Sequence, residues 1–171
     1  MDTYRSTLLL VMPPQPGLLS GFAAGLVSLA NYVSQKLPPV RVDILDLSDV
    51  SLLEAEAKLK NWATRYAENR RFVGITTTTA SYQSALKVAR ITKQLAPHAV
   101  TILGGHHASA DPETVLRHHS DIVDLVIIDE GERSLCELIH NYPDLTESPR
   151  VLRRLQYLRR WSHEQIKEIF P

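Results

Sequence analysis

A chain of 171 residues, 44% apolar and 22% charged, has the size and composition of one self-supporting soluble domain. Its 19 basic and 19 acidic residues cancel, so the chain as a whole is not drawn to nucleic acid or to an anionic membrane. The single cysteine, Cys136, excludes an internal disulfide and any cysteine cluster for zinc or iron–sulfur. It reads as a buried thiol. No basic-then-apolar leader opens the sequence and no apolar run is long enough to span a bilayer, so a cytoplasmic protein is expected.

Thr7–Met12 (TLLLVM) is a continuous apolar run ended by Pro13-Pro14, as a strand buried on both faces would be. A small-residue-rich helical segment follows over Leu18–Leu37. Val40–Leu47 alternates apolar and polar residues, which suits a strand nearer a sheet edge. Ser51 is placed to cap a helix whose one face carries Ala55, Leu59, Trp62, Ala63 and Tyr66. Phe72–Thr77 is the third strand, followed by a helix marked by Tyr82, Ala85, Ala89, Thr92 and Ala96. Ala99–Leu103 is the fourth strand, cut off by Gly104-Gly105. Asp111-Pro112 reads as an N-cap followed by proline at the first helical position. Asp124–Ile128 is the fifth strand, and Leu135, Leu138, Ile139 and Tyr142 line the last helix. Five strand-then-helix units imply a three-layer α/β sandwich, flavodoxin-like and Rossmann-like, with a five-stranded parallel sheet of order 2-1-3-4-5. The domain is expected to cover residues 1–142.

Ligands of such a sheet sit beyond the carboxyl ends of the strands. The Thr76-Thr77-Thr78-Thr79 run offers hydroxyls there, either to a phosphate or nucleotide tail, or as strand filling plus an N-cap. Gly104-Gly105-His106-His107-Ala108-Ser109 removes two Cβ atoms and then places two histidines in a loop. It is either a close approach of ligand to backbone or a glycine-rich turn with surface histidines. Adjacent histidines diverge and make a poor metal pair, so no metal site is expected. Asp129-Glu130-Gly131-Glu132 opens a helix, where acids suit the dipole or could accept from a ligand. His118-His119 fits the end of a helix. Several chemistries are missing: a Gly-x-Gly-x-x-Gly after the first strand, a Walker loop, a phosphoacceptor aspartate at the end of the third strand, and a Gly-x-Ser-x-Gly elbow. No complete catalytic machinery is present, which leaves enzymatic activity of this chain by itself open.

The stretch from Val73 to Leu138 resembles the cobalamin-binding domain found at the N-terminus of radical-SAM enzymes. The motifs that carry the resemblance are Gly74-Ile75-Thr76, Gly104-Gly105-His106-His107-Ala108-Ser109, and Val123-Asp124-Leu125-Val126 leading to Glu130-Gly131-Glu132. Met12-Pro13-Pro14 fits the family's proline-rich end of the first strand, and the likeness extends over residues 5–142. It implies a module that binds cobalamin, a cobalt-containing corrinoid, with the nucleotide tail beside the sheet and the corrin ring on top. The module would present the cofactor to a radical-SAM or methyltransferase partner domain, in cis or in trans. The residues so implied are Pro13, Pro14, Thr76, Thr77, Thr78, Gly104, Gly105, His106, His107, Ser109, Glu130, Gly131 and Glu132. Asp129 departs from the family, which usually has glycine there, and His106 stands where proline is frequent. The Asp-x-His-x-x-Gly motif of a second cobalamin family, whose histidine ligates cobalt, is absent: Pro13-Pro14-Gln15-Pro16-Gly17 follows the first strand. The Cys-x3-Cys-x2-Cys of a radical-SAM barrel, and with it the iron–sulfur cluster and S-adenosylmethionine, would belong to the partner. Two other functions stay open: a sensor or scaffold of this fold without the cofactor, and a small nucleotide-binding enzyme.

Pro143–Pro149 reads as a linker to a basic tail. Residues 150–171 carry 6 Lys/Arg and 2 Asp/Glu, against 13 and 17 in residues 1–149. Arg150, Arg153, Arg154, Arg159 and Arg160 interleave with Val151, Leu152, Leu155 and Leu158, and Ser162 with Gln165 matches a capping box. The segment is an amphipathic helix packed back on the domain or a docking helix for a partner. It is too short to form a helix-turn-helix alone.

Overall fold

Four consecutive apolar residues, Leu8–Val11, alternate their side chains across the sheet, so a core is needed on both faces of this strand. The computed structural model, which describes residues 5–15 and 23–142, supplies both. Strand β1 (Ser6–Met12) pairs in parallel with β2 (Val40–Asp46) and β3 (Arg70–Thr76). Strand β3 in turn pairs with β4 (Val100–Gly104), and β4 with β5 (Leu125–Val126). The order is β2-β1-β3-β4-β5, as expected from the five strand–helix units.

Helices α1 (Ala24–Lys36) and α6 (Gly131–Asn141) cover the face that carries Leu8, Leu10, Phe72, Val100 and Ile102. Helices α2 (Leu52–Arg65) and α3 (Tyr82–Leu95) cover the opposite face, with Leu9, Val11, Val73, Ile75 and Leu103. Two short helices, α4 (His106–Ala110) and α5 (Pro112–His119), extend that second layer through Ala108, Val115 and Leu116. The capping box at Ser51 forms with Glu54, and the Asp111 side chain accepts from the Thr114 N–H one turn into α5.

Three differences from the sequence reading have local causes. His106 and His107 do not lie in a loop; they open α4. Gly105, at φ 90° and ψ 178°, turns the chain sharply after β4, and the Ser109 N–H then bonds the Gly105 carbonyl at 3.0 Å. β5 is shorter than Asp124–Ile128, although the Asp124 and Ile127 N–H groups, just outside it, still bond β4 carbonyls. The third concerns the helix expected from Leu18. It starts at Ala24, while Leu18–Phe22 lie outside the described residues, as do the linker and basic tail at 143–171.

Candidate functional site

Strand alternation puts Leu10 and Met12, Gly74 and Thr76, and Ile102 and Gly104 on the face covered by α1 and α6. Register sets them in rows: Leu10 beside Gly74 and Gly74 beside Ile102, then Thr76 beside Gly104 nearer the strand ends. Glycine on each of two neighbouring strands therefore removes side chains where the helices would otherwise pack. One row deeper, Leu8, Phe72 and Val100 fill the same face and end the opening. Phe72 is itself held edge-on by Tyr142 at 5.4 Å, and Arg70 anchors the Tyr142 carbonyl at 2.7 Å.

The result is a slot of about 350 Å³ between the sheet, α1 and α6, at the carboxyl edge where the strand order switches between β1 and β3. Five of the chain's 7 glycines line it: Gly25, Gly74, Gly104, Gly105 and Gly131. A Cβ built on Gly25 would meet nothing within 4 Å, and one on Gly104 only the Ile127 carbonyl at 3.8 Å. At those two positions the missing side chain leaves open space that a ligand can fill.

Gly105 serves differently. A Cβ there would lie 2.6 Å from the Thr77 carbonyl oxygen and 2.8 Å from its nitrogen. Its glycine is required by the close passage of β3 and by its positive φ.

The polar lining sits at the mouth, in Thr76 and in Asp129, Glu130 and Glu132 at the start of α6. Gly131 lies between them. Asp129 has φ 62°, the left-handed region that glycine adopts most readily; aspartate is among the few other residues that tolerate it. Its N–H is held by the Ser109 hydroxyl at 3.2 Å, so Ser109 shapes the mouth from behind.

The other residues singled out in the sequence do not line the slot. Thr77 is fully buried; its hydroxyl donates to the Gly104 carbonyl at 2.7 Å and accepts from the Ala108 N–H at 3.0 Å, tying β3, β4 and α4 together. Thr78 exchanges hydrogen bonds with Ser81 ahead of α3. His107 lies on the second helical layer, its ring 4.1 Å from that of Tyr82 and its Nδ1 3.4 Å from the Thr79 hydroxyl; His106 is exposed. Pro13 and Pro14 are buried just after β1, beside the Gln15-to-Ser48 backbone bond that joins the ends of β1 and β2. Asp124, part of the resemblance, is a staple. Its carboxylate accepts from Lys93 at 2.6 Å and from the Thr101 N–H at 2.7 Å. Behind Tyr82, burial holds the His119 imidazole below its ordinary pKa, and burial pushes the Tyr82 phenol and the Cys136 thiol up.

Sequence reasoning missed the apolar wall of the slot: Leu26 and Leu29 of α1, Leu10, Ile102, Ile127 and Leu135. A signal did exist. Gly74 interrupts an otherwise apolar strand, and glycine inside a strand marks a site where another group comes close.

Among the described residues, no group of three or more His, Cys, Asp or Glu is placed to hold a metal ion, and no helix is long and apolar enough to cross a membrane. Compared with known proteins, the chain matches the B12 binding domain family over residues 20–139. It is 28% identical over 138 residues to an uncharacterized methyltransferase of Pyrococcus horikoshii, a match covering 77% of this chain and 28% of that protein's length. A cobalamin-dependent S-adenosylmethionine radical enzyme, OxsB, solved with aqua-cobalamin and S-adenosylmethionine bound, shares the fold with a TM-score of 0.57 at 13% identity. That match covers 82% of this chain and 19% of the enzyme.

Proposed function

The chain belongs to the B12-binding domain family, and from that premise we propose that it binds a cobalamin with the nucleotide tail in the glycine-lined slot and the corrin ring over the carboxyl edge of the sheet. The observation that carries the reading is the slot itself. Its volume of about 350 Å³ is at the small end of ligand pockets. That suits a bicyclic base with its sugar and leaves the macrocycle outside, above Thr76, Gly104 and the Asp129–Glu132 turn. The missing Cβ atoms of Gly25 and Gly104 are the cradle such a flat group needs.

Within this proposal Thr76, Gly104, Gly105, Glu130, Gly131 and Glu132 border the tail directly. Thr77 and Ser109 hold the backbone around it, while Thr78 fixes the turn into α3. His106, His107, Pro13 and Pro14 lie outside the slot and are not assigned to the tail. Bound cobalamin supplies a cobalt centre able to carry a methyl group or take part in radical chemistry. What this chain's residues do is bind the tail, orient the ring and exclude water beneath it. With no Asp-x-His-x-x-Gly motif, cobalt is expected to lack a histidine from that position.

The reaction belongs to a partner domain of radical-SAM or methyltransferase type, in cis or in trans. Residues 1–142 form the cofactor unit, with 143–171 as linker and basic tail. A single cysteine and no bilayer-length apolar run suit a cytoplasmic setting.

The test is to mix the protein with hydroxocobalamin, desalt, and record the absorption spectrum. Retained corrin absorbance at one equivalent supports the proposal. A folded protein that emerges colourless would leave a scaffold that has lost the cofactor.

A further inference from the structure

We infer that the slot selects the chemistry of the tail: it accepts a benzimidazole-type base and discriminates against a purine. This inference rests on the cobalamin reading above and adds a specificity to it. Corrinoids share one macrocycle and differ in the heterocycle at the end of the nucleotide loop. A benzimidazole carries only its two ring nitrogens, one of them committed to the sugar. A purine adds further ring nitrogens and, in adenine, an exocyclic amine, all of which require partners once taken from water.

The slot divides these demands by depth. Its polar side chains, Thr76, Asp129, Glu130 and Glu132, are at the mouth, where the sugar and phosphate of a tail would pass. Further in, the walls are Leu10, Leu26, Leu29, Ile102 and Leu135 with Gly74, and none of these side chains donates or accepts a hydrogen bond. The sheet contributes little more. The backbone groups of β1, β3 and β4 are engaged in the parallel ladder, from Leu10–Gly74 through Gly74–Ile102. A base with apolar edges is therefore matched along its length, while a purine would bury polar edges against leucine and isoleucine. The discriminating residues are Leu29 of α1 and Leu135 of α6, which line the slot from the two covering helices.

The experiment is equilibrium titration of the apo protein with three probes: cobalamin, its adenine-tailed analogue, and cobinamide, which has no nucleotide tail. Each affinity is corrected for the probe's own tail-on equilibrium, measured from its pH-dependent absorbance. Cobalamin should bind tightest, the adenine-tailed analogue at least roughly tenfold more weakly, and cobinamide more weakly again. Leu29→Gln, which sets an amide in the wall at a half-buried position, should narrow the cobalamin-to-adenine ratio without changing the melting temperature by more than a few degrees.

Three outcomes are distinct. If none of the probes binds, the cobalamin reading itself falls. If cobinamide binds as well as cobalamin, the slot does not hold the tail. If the benzimidazole and adenine forms bind equally while cobinamide is weak, the tail site stands and the selectivity is overturned.

Discussion

Replacing Gly104 by valine sends three carbons into the slot from the end of β4. The position tolerates a side chain: its φ is not in the left-handed region, and the nearest atom to a new Cβ is the Ile127 carbonyl at 3.8 Å. In the apo protein the change should be neutral or stabilising by about 0.5–1 kcal/mol, because valine suits a strand and glycine loses more backbone freedom on folding. Binding should respond in the opposite direction. A bicyclic aromatic tail buries about 150–250 Å², comparable to an aromatic side chain. At about 25 cal/mol per Å² its full burial is worth roughly 4–6 kcal/mol. Valine occupies part of the slot, so we expect about half of that to be lost, some 2–3 kcal/mol, or a weakening of roughly 30- to 150-fold. Isothermal titration with hydroxocobalamin reads the affinity, and thermal melting of the apo protein reads the fold. A Gly104→Val protein that melts like the parent and binds within threefold of it would refute the placement of the tail.

Three further changes separate structural roles from binding. Gly105→Ala should destabilise the apo protein by roughly 2 kcal/mol or more, since the position combines a glycine-only conformation with a Cβ contact to the Thr77 backbone. The melting temperature should drop by about 4–8 °C, and an unchanged melt would contradict the turn described here. Asp124→Ala leaves Lys93 and the Thr101 N–H without their carboxylate and should cost roughly 2–3 kcal/mol by urea denaturation, with Asp124→Asn losing less because it keeps an acceptor. Burial depresses the His119 pKa below its ordinary 6.5, with Asp121 opposing the shift and His118 and Arg90 adding to it. A depressed histidine pKa means that the unfolded state takes up the proton first. The stabilisation is therefore complete above pH 6.5 and is lost as pH falls through the lower folded value. The fall in melting temperature between neutral and mildly acidic pH should be shallower in His119→Phe than in the parent, and equal slopes would remove His119 from the account.

Hydrophobic periodicity and the strand–helix order determined the five parallel strands, the helices between them and the edge at which a ligand site belongs. These signals are local: the Leu8–Val11 run, the Ser51–Glu54 box and the Asp111-Pro112 cap each act within a few residues of themselves. The motifs at Gly104–Ser109 and Asp129–Glu132 likewise fall at strand ends that border the slot. What each of their residues does was decided by the tertiary structure. Gly104 and Gly105 are adjacent and chemically identical, yet one opens onto the slot and the other is pressed against Thr77. Thr76 lines the cavity while Thr77, one residue on, points to the opposite layer and bonds Gly104 and Ala108. A one-residue step along a strand reverses the face, and only the pairing partners reveal what lies on each face. The apolar wall was hidden for the same physical reason. Leu10, Leu29, Ile102 and Leu135 are ordinary core residues in sequence, and they enclose a space only because glycines on two paired strands leave side-chain volume unfilled beneath α1 and α6.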